Sequence, residues 1–234
     1  KGIVLHTYKY SETSVISKMY TKEFGLQSYV FKGIRNKKSK NKLSLLQSLN
    51  IVDLEVTNDK KRSLQYVKEI QKNTDLSLLF SDMNKRFLSL FISEVLLKVL
   101  VSSEKDNSLF KVIENTVLSL NSSEYLSKNF SLVFLIKLSS YLGFYPNSEF
   151  SEREYFDLES ATFISENSYY NISDDNKIYF TLLLKNKNIE IPYQNRKELI
   201  KSLQDFYKLH HYNIDQLKSY EVIESLRVWK KKYY

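Results

Sequence analysis

The sequence contains no cysteine, which removes disulfides, thiol nucleophiles and thiolate metal sites together. Glycine (4) and proline (2) are scarce, so collagen-like, linker-rich and low-complexity architectures are set aside. No unit of about 20–50 residues recurs along the chain. Long apolar runs are missing as well: Leu132 to Ile136 falls far short of the ~20 residues that a spanning helix needs. Ile3 to Leu5 is too short for the apolar core of a signal peptide. These absences predict a cytoplasmic protein without membrane contact. His6, His210 and His211 are the three histidines; the last two are neighbours that a helix turns about 100° apart, the wrong geometry for two ligands on one face. No glycine-rich loop is present to cradle a phosphate. No metal, cofactor or catalytic residue is therefore expected.

Apolar side chains are plentiful, with 42% hydrophobic and 14% aromatic residues, enough for a packed core in one large domain or two modest ones. Positive charge is concentrated. The formal charge of the whole chain is +8, and residues 1–42 carry ten Lys/Arg against Glu12 and Glu23, so the first fifth accounts for all of it. The densest stretch runs from Lys32 to Lys42 and holds Lys32, Arg35, Lys37, Lys38, Lys40 and Lys42 with no acid. A local excess of this kind suggests a site for polyanions, nucleic acid first among them, although a solvated loop is the plainer alternative.

From Gly2 to Asn73 the pattern has a period near two, rich in β-branched and aromatic residues. Turns are signalled at Ser11-Glu12-Thr13, at Lys22 to Gly25 and at Asn58 to Arg62. Five short strands in about 70 residues predict a small closed or half-closed barrel. Beyond Thr74 the period lengthens. Helices are expected over Asn84–Val101, Asn107–Leu120, Tyr125–Leu142, Gln194–His211 and Tyr220–Val228, with Gly143 and Pro146 ending the third. Between them, 147–176 is acidic and aromatic and reads as an irregular insert, with a short hairpin at 155–164. The fold class is α+β, a barrel over 1–77 followed by an otherwise all-α domain over 78–234. Glu94, in a very apolar helix, is expected to be a satisfied carboxylate more than an acid that acts.

The N-terminal residues resemble the RecO family of bacterial recombination mediators. The resemblance is carried by Gly2 to Thr7 running into Tyr10 to Ser14, by Phe24-Gly25, by Lys32 to Ser39 and by Leu45-Leu46-Gln47, with weaker support from Arg86 to Leu97 and from Leu142 to Pro146. It implies an N-terminal OB-fold and a helical domain. It also implies binding of single- and double-stranded DNA, annealing of complementary strands, and work with RecR and the C-terminal tail of single-stranded DNA-binding protein (SSB) to load RecA in RecF-pathway repair, at the bacterial nucleoid. Many members carry a four-cysteine zinc module after the position of Gly143 to Pro146. This chain has the insert 147–176 there, like the cysteine-free forms of Bacteroidetes, so the zinc module is absent.

An OB-type barrel binds single strands by joining cationic grooves to aromatic platforms. The expected DNA-binding residues are Lys32, Arg35, Lys37, Lys38, Lys40 and Lys42, extended by Lys9, with Tyr8 and Tyr10 preferred over Tyr20, Tyr29 and Phe31 for stacking because polar neighbours surround them. Lys60, Lys61 and Arg62 read more as a solvated hairpin tip beside Asp59, and Arg227 and Lys230 to Lys232 as a frayed basic end. The acidic tail of SSB would need an apolar groove rimmed by cations, for which Lys98, Lys128 and Lys137 are candidates, each equally readable as a solvated helix flank. Two other classes stay open. One is a non-catalytic interaction scaffold whose basic loop is surface charge; the other, an OB-containing nuclease or transferase, lacks a cluster of acids or ligands.

Overall fold

A computed structural model describes residues 1–36, 39–59, 61–100 and 104–233, with the backbone alone for Lys40 and for 226–233. The predicted strands form as β1 (Gly2–Lys9), β2 (Val15–Thr21), β3 (Gly25–Phe31), β4 (Ile51–Thr57) and β5 (Leu64–Lys72). They close into a barrel in the order β1-β2-β3-β5-β4, sealed where Gly2 pairs with Val52 and Ile3 with Ile51. All pairings are antiparallel except β3 with β5. This is an OB-type barrel, and closure removes the open sheet edges that a five-stranded ribbon would leave. Val4, Val15, Met19, Tyr29, Phe31, Val52 and Ile70 fill it, and Ile34 and Leu46 join them from the connection between β3 and β4. That connection carries a one-turn helix, α1 (Lys40–Leu43), and a 3-10 turn over Ser44–Leu46.

Two compact units emerge, Lys1–Glu124 together with Leu217–Tyr234, and Tyr125–Gln216. In the first, the barrel is joined by α2 (Ser77–Ser81), α3 (Met83–Val99), α4 (Asn107–Ser122) and α8 (Lys218–Tyr233). Asp82 and Asp106 cap α3 and α4 by accepting from the backbone N–H groups of Lys85, and of Ser108 and Leu109. Ile3 and Leu5, either side of the core residue Val4, are buried as well, because α3 packs against β1. Asn121 binds three helices together: its side chain accepts from Leu79 N–H at 2.8 Å and its carbonyl from the buried Lys85 ammonium at 2.7 Å. The return of the C-terminal helix to this unit has a local cause. Glu94 on α3 accepts from the backbone N–H groups of Lys218 (3.1 Å) and Ser219 (2.9 Å), and from the Ser219 hydroxyl. Its charge thus meets the positive end of α8.

The second unit contains α5 (Phe130–Tyr141), α6 (Asp174–Leu184) and α7 (Tyr193–Leu209), with a small sheet of β6 (Tyr155–Asp157), β7 (Thr162–Ile164) and β8 (Asn171–Ile172) in the order β7-β6-β8. The acidic segment is therefore built around a three-stranded sheet, of which sequence reading anticipated the β6–β7 hairpin. Phe156 lies at its centre, 4.7 Å from Phe180 and 5.0 Å from Phe163. Phe144, just past Gly143, meets Phe206, Tyr207 and His210. The buried Tyr207 hydroxyl donates to the Leu135 carbonyl at 2.7 Å, joining α7 to α5, and burial raises its phenol well above the usual tyrosine range. α5 begins at Phe130 instead of Tyr125. The polar residues at 121–124 end α4, where Ser123 donates to the Ser119 carbonyl through both its N–H and its hydroxyl.

Candidate nucleic-acid interface

Strand register decides what the outside of the barrel offers. Tyr8 pairs with Ile16, Ile16 with Val30 and Val30 with Tyr66, and paired residues share a face, so the four form one row across β1, β2, β3 and β5. Tyr29 and Phe31 point the other way, into the core. The row has two buried aliphatic residues at its middle and an exposed tyrosine at each end. Tyr8 and Tyr66 are 41% and 38% exposed, and Tyr10, in the turn beyond β1, is 58% exposed. Tyr20, Tyr29 and Phe31 are buried, which removes their rings from any ligand. Burial also lifts the phenols of Tyr20 and Tyr29. A parallel row sets His6 against Lys18 and Lys18 against Ser28, with the His6 ring 6.0 Å from that of Tyr8. Lys9 pairs with the core residue Val15, so it lies on the other face of β1 from Tyr8.

The basic stretch leaves β3 at Lys32 and turns at Gly33, whose φ of 68° is reached at little cost only by a residue without a Cβ. Arg35 is then tied to the β1–β2 turn twice. Its backbone N–H donates to the Thr13 carbonyl at 3.0 Å and its guanidinium to the Ser11 carbonyl at 3.1 Å. This joins the basic stretch to the turn that carries Tyr10. Arg35 is exposed all the same, as are Lys32 and, on α1, Lys42. Lys37, Lys38 and Lys60 lie outside the described residues, as do the side chains of Lys40, Arg227 and Lys230 to Lys232.

The β4–β5 turn comes to the same row from the other side. Gln65 organises it, accepting from Asp59 N–H at 2.8 Å and donating to the carbonyls of Asp59 (2.9 Å) and Arg62 (2.7 Å). Arg62 pairs with Asp59 at 3.1 Å, an exposed contact of little energetic weight. Its guanidinium also lies 6.0 Å from the centre of the Tyr66 ring, while the Lys32 ammonium sits over that ring at 4.6 Å. Tyr66 thus joins the basic stretch to the hairpin tip, and sequence reading passed over it. Strict alternation along β5 would set it on the face of the core residue Ile70; the register shift in the β4–β5 pair, between Glu55 and Val56, turns it outward. Which cations stand over it depends on the parallel pairing of β3 with β5, which no local pattern records. The β2–β3 face together with the β1–β2 and β4–β5 turns is where OB-folds take oligonucleotides.

Elsewhere the candidates are dispersed. Lys98, on α3 of the first unit, is half-buried; Lys128 and Lys137 belong to the second, where Lys128 meets Glu190 at 2.6 Å and Lys137 is exposed on α5. Glu94 caps α8, as described, in keeping with a satisfied carboxylate. His210 donates from Nε2 to the Leu158 carbonyl, 3.1 Å away, and stacks on Phe144. Among the described residues no group of three His, Asp or Glu could hold a metal ion, and no helix is long and apolar enough to cross a membrane.

Residues 1–73 match the family model for the N-terminal part of recombination protein O, and residues 81–221 match that for its C-terminal part. Over 234 residues the chain is 31% identical to the DNA repair protein RecO of Azobacteroides pseudotrichonymphae, with 97% of each chain covered. It is 30% identical to the protein of that name from Bacteroides fragilis over 96% of this chain and 97% of the relative. For the one from Flavobacterium psychrophilum the figures are 28% over 97% of each.

Proposed function

This chain belongs to the RecO family of DNA repair proteins, and we propose that its barrel, residues 1–77, binds DNA through the Lys32–Lys42 stretch and the exposed tyrosine row. The observation that carries the reading is the convergence of cations on exposed rings: Lys32 and Arg62 at Tyr66, and Arg35 at the turn that bears Tyr10. Cations neutralise phosphates, and exposed rings accept bases that are not stacked in a duplex. Neutralising two complementary strands lets them approach and pair, so annealing follows from electrostatics and geometry with no bond made or broken by the protein. In this reading the protein is a mediator and not an enzyme. It acts at the nucleoid with RecR and the C-terminal tail of SSB, and helps RecA onto SSB-coated strands. The helical part, 78–234, supplies the protein contacts, with Lys98, Lys128 and Lys137 as candidates for the acidic tail.

The test is fluorescence anisotropy of a labelled single strand across a salt series, with the intact chain and with Lys37, Lys38, Lys40 and Lys42 changed together to Ala. Arg35 is spared because it holds the β1–β2 turn. The expected result is tight, salt-sensitive binding whose log–log salt slope falls by about 3 in the variant, from ~0.7 per single-strand phosphate contact. Equal binding by the two proteins, or none by either, would make the stretch surface charge and put the interaction scaffold in its place.

A further inference from the structure

We infer that Tyr66 is a base-stacking subsite whose ring Lys32 covers until a single strand arrives, so that one position exchanges a cation–π contact for a phosphate contact and a stacked base. The inference rests on the reading that the barrel binds DNA, and it adds which residue takes a base and from which kind of strand. Tyr66 ends the outward row in register with Val30, and its ring faces the Lys32 ammonium at 4.6 Å. The two cations near it differ in freedom. Arg62 lies farther from the ring, has a carboxylate partner in Asp59 at 3.1 Å, and has its backbone carbonyl held by Gln65 at 2.7 Å. Lys32 follows the last residue of β3 on an exposed, flexible stem. An ammonium over a phenol ring at an exposed site is weakly held. A strand offers that ammonium a phosphate and offers the vacated ring a base, and both replacements are the stronger partners. Bases in a duplex have their faces occupied by neighbours, so duplex DNA meets only the cations here. Tyr66 then favours single strands, and Lys32 serves both kinds.

The experiment compares two labelled oligonucleotides of equal length, one of thymidylates and one of abasic deoxyribose phosphates, binding the full chain across a salt series. Their phosphates are the same and only one has bases. The thymidylate strand should bind the intact chain about 5- to 100-fold tighter, the span that stacking at one or a few rings gives. Tyr66→Ala should remove a large part of that advantage while leaving abasic affinity within about twofold, and Tyr66→Phe should keep it. Lys32→Ala should lower the salt slope by about 0.7 with both strands and leave the base advantage in place. An unchanged advantage in Tyr66→Ala, with salt-sensitive binding intact, overturns the stacking subsite and leaves the DNA reading standing. Loss of the advantage in Lys32→Ala shows the lysine to be needed for stacking and overturns the exchange. Absence of salt-sensitive binding to either strand overturns the DNA reading and this inference with it.

Discussion

In the barrel unit, Tyr8, Tyr10 and Tyr66 stand at the surface with cations gathered at Tyr66, whereas the second unit packs one set of rings, Phe156 on Phe163 and Phe180 and Phe144 on Phe206 and Tyr207, and exposes another, Tyr125 and Tyr169 most of all. Charge is what separates the two units. The first unit carries 25 Lys/Arg against 15 Asp/Glu and the second ten against twelve, with eight of those acids in 147–176. An aromatic ring serves a nucleic acid only if a face is left for a base and the charge around it attracts phosphate. The barrel unit meets both conditions. The second unit leaves ring faces free as well, at Tyr125 and Tyr169 among others, but fails the second condition, because its acids outnumber its cations. Its acids are tied down in places: burial pushes the Asp157 carboxyl up, but hydrogen bonds from Ser160 and Ser168 outweigh this and hold it below the usual carboxylate range.

The contrast can be broken most forcefully in the second unit. Phe156→Ala should remove about 3–5 kcal/mol of stability from it, read as a lower denaturant midpoint, with single-strand affinity at low denaturant unchanged. If affinity falls in step with stability, the division of labour between the units is wrong. Glu94→Ala should cost about 1–2 kcal/mol by removing the cap on α8, and hydrogen exchange should speed up across 218–225 before it does in the barrel. The acid limb of stability sharpens the comparison next. Because the folded-state pKa of Asp157 lies below its unfolded value of about 3.9, its contribution is complete above that value and lost as pH falls through the folded pKa. Asp157→Asn should therefore flatten the acid loss below about pH 4 and leave the salt slope for DNA untouched. The smallest effect is expected at Lys137, where Lys137→Glu should weaken an acidic tail peptide by a few-fold and leave DNA binding as it was. An unchanged peptide affinity removes that residue from the partner surface.

Much of this architecture was legible beforehand. Period-two runs marked all five barrel strands, and 3–4 spacing marked α3, α4 and α7 within two residues of their ends, while α5 and α8 were each five residues off at one end and α6 was not read as a helix. The misplaced start of α5 has a physical basis, since serine and asparagine suit either end of a helix and here Ser123 completes α4. The small sheet was only half visible because β8 is two residues long and pairs with β6 across the β6–β7 hairpin. At the interface, the basic stretch was plain from composition alone, while Tyr66 and the tethering of Arg35 were not. Arg35 reads in sequence as one cation among six; in the fold its guanidinium is also a strut for the β1–β2 turn.

The sequence by itself determined where the positive charge lies, that the N-terminal part is a strand-built barrel and the remainder chiefly helical, and that thiolate chemistry is excluded, because composition and short-range periodicity are properties of neighbouring residues. Only the tertiary structure decided which tyrosines face water, which cations stand over Tyr66 and that the last helix returns to Glu94. Alternation says that two faces differ without saying which is inside, and closing the barrel settles that. The parallel β3–β5 pair and the Glu94–Ser219 contact join residues that are respectively 36 and 125 positions apart. Such distant pairings form only when the whole chain has found its core, and no local pattern announces them.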